Sequence, residues 1–414
     1  MKHYGDITKL SGYELPIVDV ITGGSPCQDL SIAGKRAGLA GERSGLFMEQ
    51  IRIVKEMRER DERDNGRSAW SIRPRYMVWE NVPGAFSSGT PKGSDFAAVL
   101  EEIIKVAEPG ANVCVCVPNG GWTKAGCYYS SDGRWSIAWR VHDAQFWGVP
   151  QRRKRIALVA DFGGLSAPEI LFERKGMSRD SEPSKEEKKP STARNGNCAF
   201  QSNKEPVFAI DGYNCYASII SNTLRASARD YQHIPLVFDA RGKGSGEICP
   251  TITGDHESRV TDYTALFINT GFGVWRESKI AETIRTPCGG DSTKANLIVN
   301  SGYVRRATPL ECERLQGFPD YWSAYGIYNG TIKSLSDSAR YKLHGNSIAR
   351  PFWKWLTKRI SAQYERTPTL GSLFDGQGGF PLCWEEVNGK GSAVWASEIE
   401  PNAVAVTMLH FPEE

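Results

Sequence analysis

The chain predicts an α/β fold: an open parallel sheet wound with helices, accompanied by a second, smaller β-rich domain. Three observations carry the prediction. Runs of β-branched and apolar residues end abruptly on glycine, proline, acid or cysteine at Val18–Ser31 (VDVITGGSPCQDLS), Tyr76–Gly84 and Thr369–Phe380 (TLGSLFDGQGGF), the pattern of buried strands that deliver functional groups at their carboxyl ends. Helical stretches alternate with these runs at residues 45–60, 95–107, 309–315, 351–360 and 401–410. Between residues 208 and 300 the helical signal disappears and a unit of about thirty residues recurs.

Composition bounds the function. With 414 residues, 40% hydrophobic and 24% charged, the chain has length for two or three domains and a substantial core. A net charge of +3 is too mild to demand a nucleic-acid partner, so such a partner must be argued from local clusters. Ten cysteines are scattered without paired CxxC spacing, which points to reduced thiols in a cytoplasm and to no metal site. No apolar run approaches the ~18 residues of a membrane span, and MKHYGDITKL lacks the apolar core of a signal peptide, so no membrane partner is expected.

A short strand around Tyr4 ends on Gly5-Asp6-Ile7. The Val18 strand then brings Cys27 to a sheet's carboxyl edge, where a thiol is activated if a helix N-terminus or a cation lies close; the alternative is a half-buried cysteine in a tight turn. Residues 31–44 are a glycine-dotted basic loop, either a lid or a surface crossover. The helix 45–60 directs Leu46, Ile51 and Val54 one way and Arg52, Lys55, Glu56 and Arg58 largely another. Residues 58–73 read as charged loop, and the strand from Tyr76 delivers Glu80. Strands are expected around Asn112–Val117 and Ser136–His142, and another over Gln151–Val159. The latter opens on Arg152, Arg153, Lys154 and Arg155, a solvated edge or a contact for phosphates.

From 163 to 205 the composition is that of a linker. Units then begin at Phe208, Phe238 and Phe267 and suggest stacked hairpins, with Asn222, Arg225, Gln232, Arg259, Arg276 and Arg285 on their turns as weak candidates for DNA contact. Tyr341–Ile348 (YKLHGNSI) reads as a glycine turn before an aromatic-rich helix, and 361–369 as a tether. At the far end, Gly376, Gly378 and Gly379 let backbone approach a ligand, and Glu398 follows Gly376 by 22 residues, close to the ~20-residue offset at which an acid meets ribose hydroxyls. An adenosine-containing cofactor follows. The missing GxxxxGK[ST] loop disfavours a nucleoside triphosphate. Placing His410–Glu414 before Met1 restores a continuous strand-helix progression, so the chain reads as circularly permuted.

Together these segments resemble the DNA (cytosine-5)-methyltransferases over nearly the whole chain outside 165–300. The matches are FDGQGG at 374–379, Glu398, GD at 5–6, SPCQ at 25–28, ENV at 80–82, QRRKR at 151–155, RRATPLECERLQGFP at 305–319 and GNSI at 345–348. The departure is order, since that family normally begins with the cofactor motif. The resemblance implies a Rossmann-like S-adenosylmethionine-dependent methyltransferase sheet with a smaller target-recognition domain. It divides the chain into a first catalytic part (1–170), target recognition (171–337) and a permuted second catalytic part with the cofactor motif (338–414).

It further implies that Cys27 adds to cytosine C6, that Glu80 and Arg155 neutralise the resulting charge at N3 and O2, and that Arg153 lies nearby. S-adenosylmethionine would meet Phe374, Asp375, Gly376, Gly378, Gly379, Glu398, Ile399, Asp6, Ile7, Leu46, Asn346 and Ser347. Gln28, Ser31, Arg305 and Arg306 would contact double-stranded DNA, from which the cytosine must be flipped. A monomer is expected, with a cognate restriction endonuclease as a compatible but not physically required partner. The rivals are a tRNA cytosine-5 methyltransferase, disfavoured by the large repetitive region, and a silent DNA-binding protein, which has no use for Cys27, Glu80 and Arg155 together.

Overall fold

The computed structural model describes residues 1–25, 45–68, 70–172 and 308–413, together with six strands between 208 and 306. In chain order the strands are β1 (Lys2–Tyr4), β2 (Val20–Gly23), β3 (Tyr76–Asn81), β4 (Ala125–Tyr129), β5 (Ser136–Asp143), β6 (Lys154–Asp161), β7 (Phe208–Asp211), β8 (Ile234–Asp239), β9 (Tyr263–Ile268), β10 (Arg276–Ser278), β11 (Leu297–Asn300), β12 (Tyr303–Arg306), β13 (Tyr325–Tyr328), β14 (Thr331–Ser334), β15 (Leu370–Leu373) and β16 (Ala393–Ser397). The helices are α1 (Leu46–Asn65), α2 (Ser94–Ala107), α3 (Ala167–Leu171), α4 (Pro309–Gln316), α5 (Asp337–Asn346), α6 (Arg350–Ser361), α7 (Gly379–Asn388) and α8 (Pro401–His410).

Eight strands form the main sheet in the order β1-β16-β15-β2-β3-β6-β5-β4. The first five are parallel and the last three antiparallel. Counted from β15, the parallel part has the order 3-2-1-4-5 of a doubly wound sheet, and its switch point lies between β15 and β2. Strand alternation assigns the two faces. Met77, Trp79, Ile156 and Leu158 meet α1 and α2, whereas Tyr76, Val78, Ala157 and Val159 meet α3, α6 and α7.

The reordered chain closes on itself. β1 pairs with β16 in parallel register, the Met1 ammonium donates to the Pro412 carbonyl at 3.0 Å, and the His3 N–H donates to Glu413 at 2.9 Å. The tether is anchored by buried Asp19, which accepts from Arg366 at 2.7 and 2.5 Å and from the Thr369 N–H at 2.8 Å. Burial opposes ionisation of Asp19, but the Arg366 and Thr369 hydrogen bonds outweigh it and hold the carboxyl below its ordinary range. A chain rearranged to begin at Thr367, with Glu414 joined to Met1, is therefore expected to fold to the same structure with Tm within about 5 °C, checked by circular dichroism and thermal melting.

Several expectations are corrected. α1 continues to Asn65, where Gly66 caps it in a left-handed conformation, and Arg58 is buried, donating to the carbonyls of Ile72 (2.9 Å) and Pro74 (2.8 Å). Residues 112–117 alternate between half-buried and exposed but form no ladder; the strand beside β5 is β4. α3 lies inside the expected linker, α5 replaces the expected turn, and a β13–β14 hairpin follows α4. Ser336 caps α5 by accepting from the Ala339 N–H. The recurring Phe208, Phe238 and Phe267 lie in β7, β8 and β9. β8 and β9 pair as a hairpin would, whereas β7 joins the four-stranded sheet β10-β7-β11-β12. Of the candidate turn residues there, Arg276 opens β10, and Asn222, Arg225, Gln232, Arg259 and Arg285 lie outside the described residues. Arg340 of α5 pairs with Glu313 of α4, and Tyr328 of the hairpin donates to Asn402 of α8.

Candidate active site

The carboxyl ends of β1, β16, β15, β2 and β3 lie side by side, so the groups that follow them are adjacent in space though distant in sequence. β2 occupies the middle, with Gly23 level with Leu373 of β15 and Trp79 of β3. After β2, Ser25 is pinned against β3. Its hydroxyl accepts from the Trp79 indole at 3.0 Å and from Asn81 Nδ2 at 3.5 Å. Cys27, Gln28, Ser31 and the basic loop lie outside the described residues. Ser25 and Asn81 belong to the SPCQ and ENV motifs themselves, and that membership is the sequence signal for their place at the site.

Glu80 and Arg155 project from the antiparallel pair β3 and β6 as a cross-strand diagonal. Arg155 Nε donates to Glu80 Oε1 at 2.8 Å, and both side chains are 14% exposed, so the pair is sheltered yet reachable. Gly24 closes over the other oxygen: a Cβ there would stand 3.1 Å from Glu80 Oε2. The cation cluster does not form one solvated patch. Lys154 is exposed, whereas Arg153 is buried and donates to the carbonyls of Gly345 (3.2 Å) and Ser347, tying β6 to the end of α5. Arg153 thus organises the site from beneath.

The glycine-rich turn follows β15. Gly376 and Gly378 adopt φ of +58° and +83°, which disfavour a side chain, and the Gly376 N–H donates to Glu398 Oε2 at 2.7 Å. Glu398 Oε1 accepts from the N–H groups of Ile399 and Glu400, both at 2.8 Å, so its carboxylate is fixed at the mouth of the turn. Ile399 beside it is 69% exposed, an apolar platform at a strand end. Asp6 accepts from the N–H and hydroxyl of Thr8, which hold its carboxyl below the ordinary range. Gly379 packs against Ile348, where a Cβ would come within 2.8 Å, and so joins GNSI to the turn.

Some expected cofactor residues take other places. The Ile7 side chain is buried in the core, and its carbonyl accepts from Arg52 Nη2 at 3.1 Å. Asp375 is buried and accepts from Ser372 Oγ at 2.6 Å; burial pushes its carboxyl up to about 8. It supports the turn from below. Phe374, with φ of +54°, Leu46 at the start of α1, and Asn346 and Ser347 at the end of α5 remain around the same edge. Arg305 and Arg306 lie on β12, paired with β11, and their side chains are outside the described residues. Among the described residues no cluster of His, Cys, Asp or Glu is suited to a metal, and no helix is long and apolar enough to cross a membrane.

A model of the C-5 cytosine-specific DNA methylase family matches residues 1–107 and 128–362, leaving outside it the last stretch, which carries the glycine-rich turn and Glu398. A protein of Escherichia phage P1 named DNA N-6-adenine-methyltransferase is 28% identical over 428 residues, covering 86% of this chain and 55% of that protein. The type II methyltransferase M1.ScrFI of Lactococcus lactis is 24% identical over 84% of this chain and 63% of its own length. M.HpaII of Haemophilus parainfluenzae is 26% identical over 90% and 78%. The chain thus spans about half to two-thirds of the first two relatives' length. Among solved structures, the S. pombe Dnmt2 methyltransferase covers 86% of this chain and 83% of its own at 13% identity and a TM-score of 0.41.

Proposed function

The chain belongs to the C-5 cytosine-specific DNA methylase family, and from that premise we propose that it transfers a methyl group from S-adenosylmethionine to C5 of cytosine in a specific duplex DNA sequence. One observation carries the proposal. The Glu80–Arg155 pair stands beside Ser25, two residues before Cys27, and the glycine-rich turn opens from the neighbouring strand. Cys27 follows Ser25 by two residues in sequence, and the proposal assigns its thiol to this pair.

The chemistry needs such a meeting. Cytosine C5 is a weak nucleophile, so the Cys27 thiolate first adds to C6, and the electron pair displaced from the 5,6 double bond makes C5 nucleophilic. Glu80 supplies a proton at N3, and Arg155, held at 2.8 Å from that carboxylate, donates to O2. Arg153 keeps β6 and the end of α5 in place meanwhile. The turn fits S-adenosylmethionine: Glu398 is presented to ribose hydroxyls, Ile399 to a flat base, and Asp6 to an exocyclic amine. Bound there, the cofactor supplies an electrophilic sulfonium methyl. After transfer a base removes the C5 proton and the Cys27–C6 bond breaks. The cytosine reaches the site by leaving the duplex, at a cost of a few kcal/mol. The strands between 208 and 306, with Arg305 and Arg306, are assigned to sequence reading, and the enzyme is expected to act as a monomer, with or without a cognate restriction endonuclease.

Tritiated S-adenosylmethionine offered with duplex DNA or tRNA tests this reading. Label on duplex DNA, recovered as 5-methylcytosine after hydrolysis, is the expected outcome. Label only on tRNA, or recovery as N6-methyladenine, contradicts it; a thiol paired with Glu80 and Arg155 has work on a pyrimidine ring and none on an exocyclic amine.

A further inference from the structure

Beneath the glycine-rich turn lies a buried polar network that the chemistry above does not use. Its centre is Glu313 of α4, fully buried, whose carboxylate accepts from the N–H groups of Tyr321 (2.8 Å) and Ser323 (3.0 Å), from the Ser323 hydroxyl (2.6 Å) and from Arg340 Nη2 (3.0 Å). The single proton of Ser323 Oγ is thereby committed to Glu313. Arg340 Nε donates to the same Oγ at 3.1 Å. The remaining contact of that oxygen, 3.0 Å from His344 Nε2, must be accepted by it, so Nε2 carries the hydrogen. Burial, reinforced by Arg340, pushes the His344 imidazole down to about 3, so it is neutral and its Nδ1 is bare. Nδ1 then accepts from Gln377 Nε2 at 3.1 Å.

Gln377 sits inside the turn, between Gly376 and Gly378, and its carbonyl accepts from the Trp322 indole at 2.9 Å. On the other side, the next residue after His344 is Gly345, whose carbonyl Arg153 holds, and Gln316 of α4 donates to the His344 carbonyl at 2.6 Å. One end of α5 is therefore tied both to the cofactor turn and to the strand that carries Arg155.

We propose that His344 is a positioning residue, which fixes the glycine-rich turn relative to the catalytic strand by accepting from Gln377 while donating to Ser323. The inference rests on the assignment of the turn to S-adenosylmethionine. Fully buried behind Gln377, His344 governs how well the turn is preorganised, so its loss falls on cofactor affinity rather than on DNA affinity.

The test is calorimetric titration with S-adenosylmethionine of the full chain and of His344→Phe, which fills the space without either hydrogen bond, and His344→Gln, which offers one acceptor and one donor. The expected result is cofactor affinity about tenfold weaker for His344→Phe, restored to within about threefold by His344→Gln, with duplex DNA affinity unchanged. Gln377→Leu cuts the same link from the turn, and the double variant with His344→Phe is expected to be no weaker than either alone. It also serves if His344→Phe does not fold. Folded variants with native cofactor affinity, or additive losses in the double variant, overturn the proposal. A native chain that does not bind S-adenosylmethionine overturns the cofactor assignment itself.

Discussion

Replacing Cys27 by serine is expected to abolish methyl transfer, a loss of at least about 10⁴-fold, while the affinities for S-adenosylmethionine and duplex DNA stay near native. The reason is chemical. A serine hydroxyl is barely ionised at neutral pH and is a poor nucleophile toward an aromatic C6, whereas a thiol yields several per cent thiolate without help and more beside a cation such as Arg155. Without addition at C6, C5 keeps its aromatic electron demand and the methyl group has no nucleophile to meet. The measurement is single-turnover transfer of tritiated methyl to duplex DNA, paired with equilibrium binding of both ligands. A serine variant within tenfold of native rate contradicts the assignment.

The second large effect falls on Glu80. Glu80→Gln is expected to lower the single-turnover rate by about 10³-fold with little change in DNA affinity, since general acid catalysis contributes roughly 10²–10⁴-fold and the amide cannot give up a proton to N3. The amide also leaves Arg155 without the carboxylate that orients it at 2.8 Å, so part of the loss arises at O2. Glu80→Asp retains the acid but withdraws it by one methylene and is expected to sit between the two. Equal rates for Glu80→Gln and the native chain would remove Glu80 from the mechanism.

The parts of this site that sequence makes legible are those in which local backbone chemistry is extreme. Gly376 and Gly378 require left-handed φ, Glu398 stands one strand further on, and both Glu80 and Cys27 follow short apolar runs broken by glycine or proline. The motif order is legible for the same reason, because each motif keeps its local character wherever it falls, and the Met1 ammonium donates to the Pro412 carbonyl beside it. What remains hidden depends on partners far away along the chain. Asp375 resembles a ligand residue in its motif, yet its place is decided by Ser372 and by the closed core around it. Arg153 and Arg155 are alike in sequence, yet one is buried against Gly345 and the other pairs with Glu80.

Charge and glycine obscure helix boundaries in the sequence. The last turn of α1 is nearly all charged and reads as loop, but Arg58 finds carbonyl acceptors inside and Gly66 supplies the stop. Gly345 conceals α5 in the sequence, while Ser336, a good cap, signals its start. The valines of 113–117 alternate as a strand would, and Val113 and Val115 do pack on the core, but among the described residues no neighbouring strand offers a ladder. The network around His344 draws on residues 313, 323, 340, 344 and 377, a set no local pattern gathers.

The account as a whole turns on a covalent bond between Cys27 and the sixth ring atom of a flipped cytosine. Duplex DNA in which the target cytosine is replaced by 5-fluorocytosine, incubated with the protein and S-adenosylmethionine, tests it most directly, because fluorine at C5 cannot leave as a proton does and the adduct cannot resolve. The expected result is a complex that survives denaturation, forms only when the cofactor is present, and yields on digestion a Cys27 peptide carrying the methylated base. Efficient labelling of ordinary DNA with no such adduct on the fluorinated duplex, or an adduct mapped to another cysteine, would contradict the account.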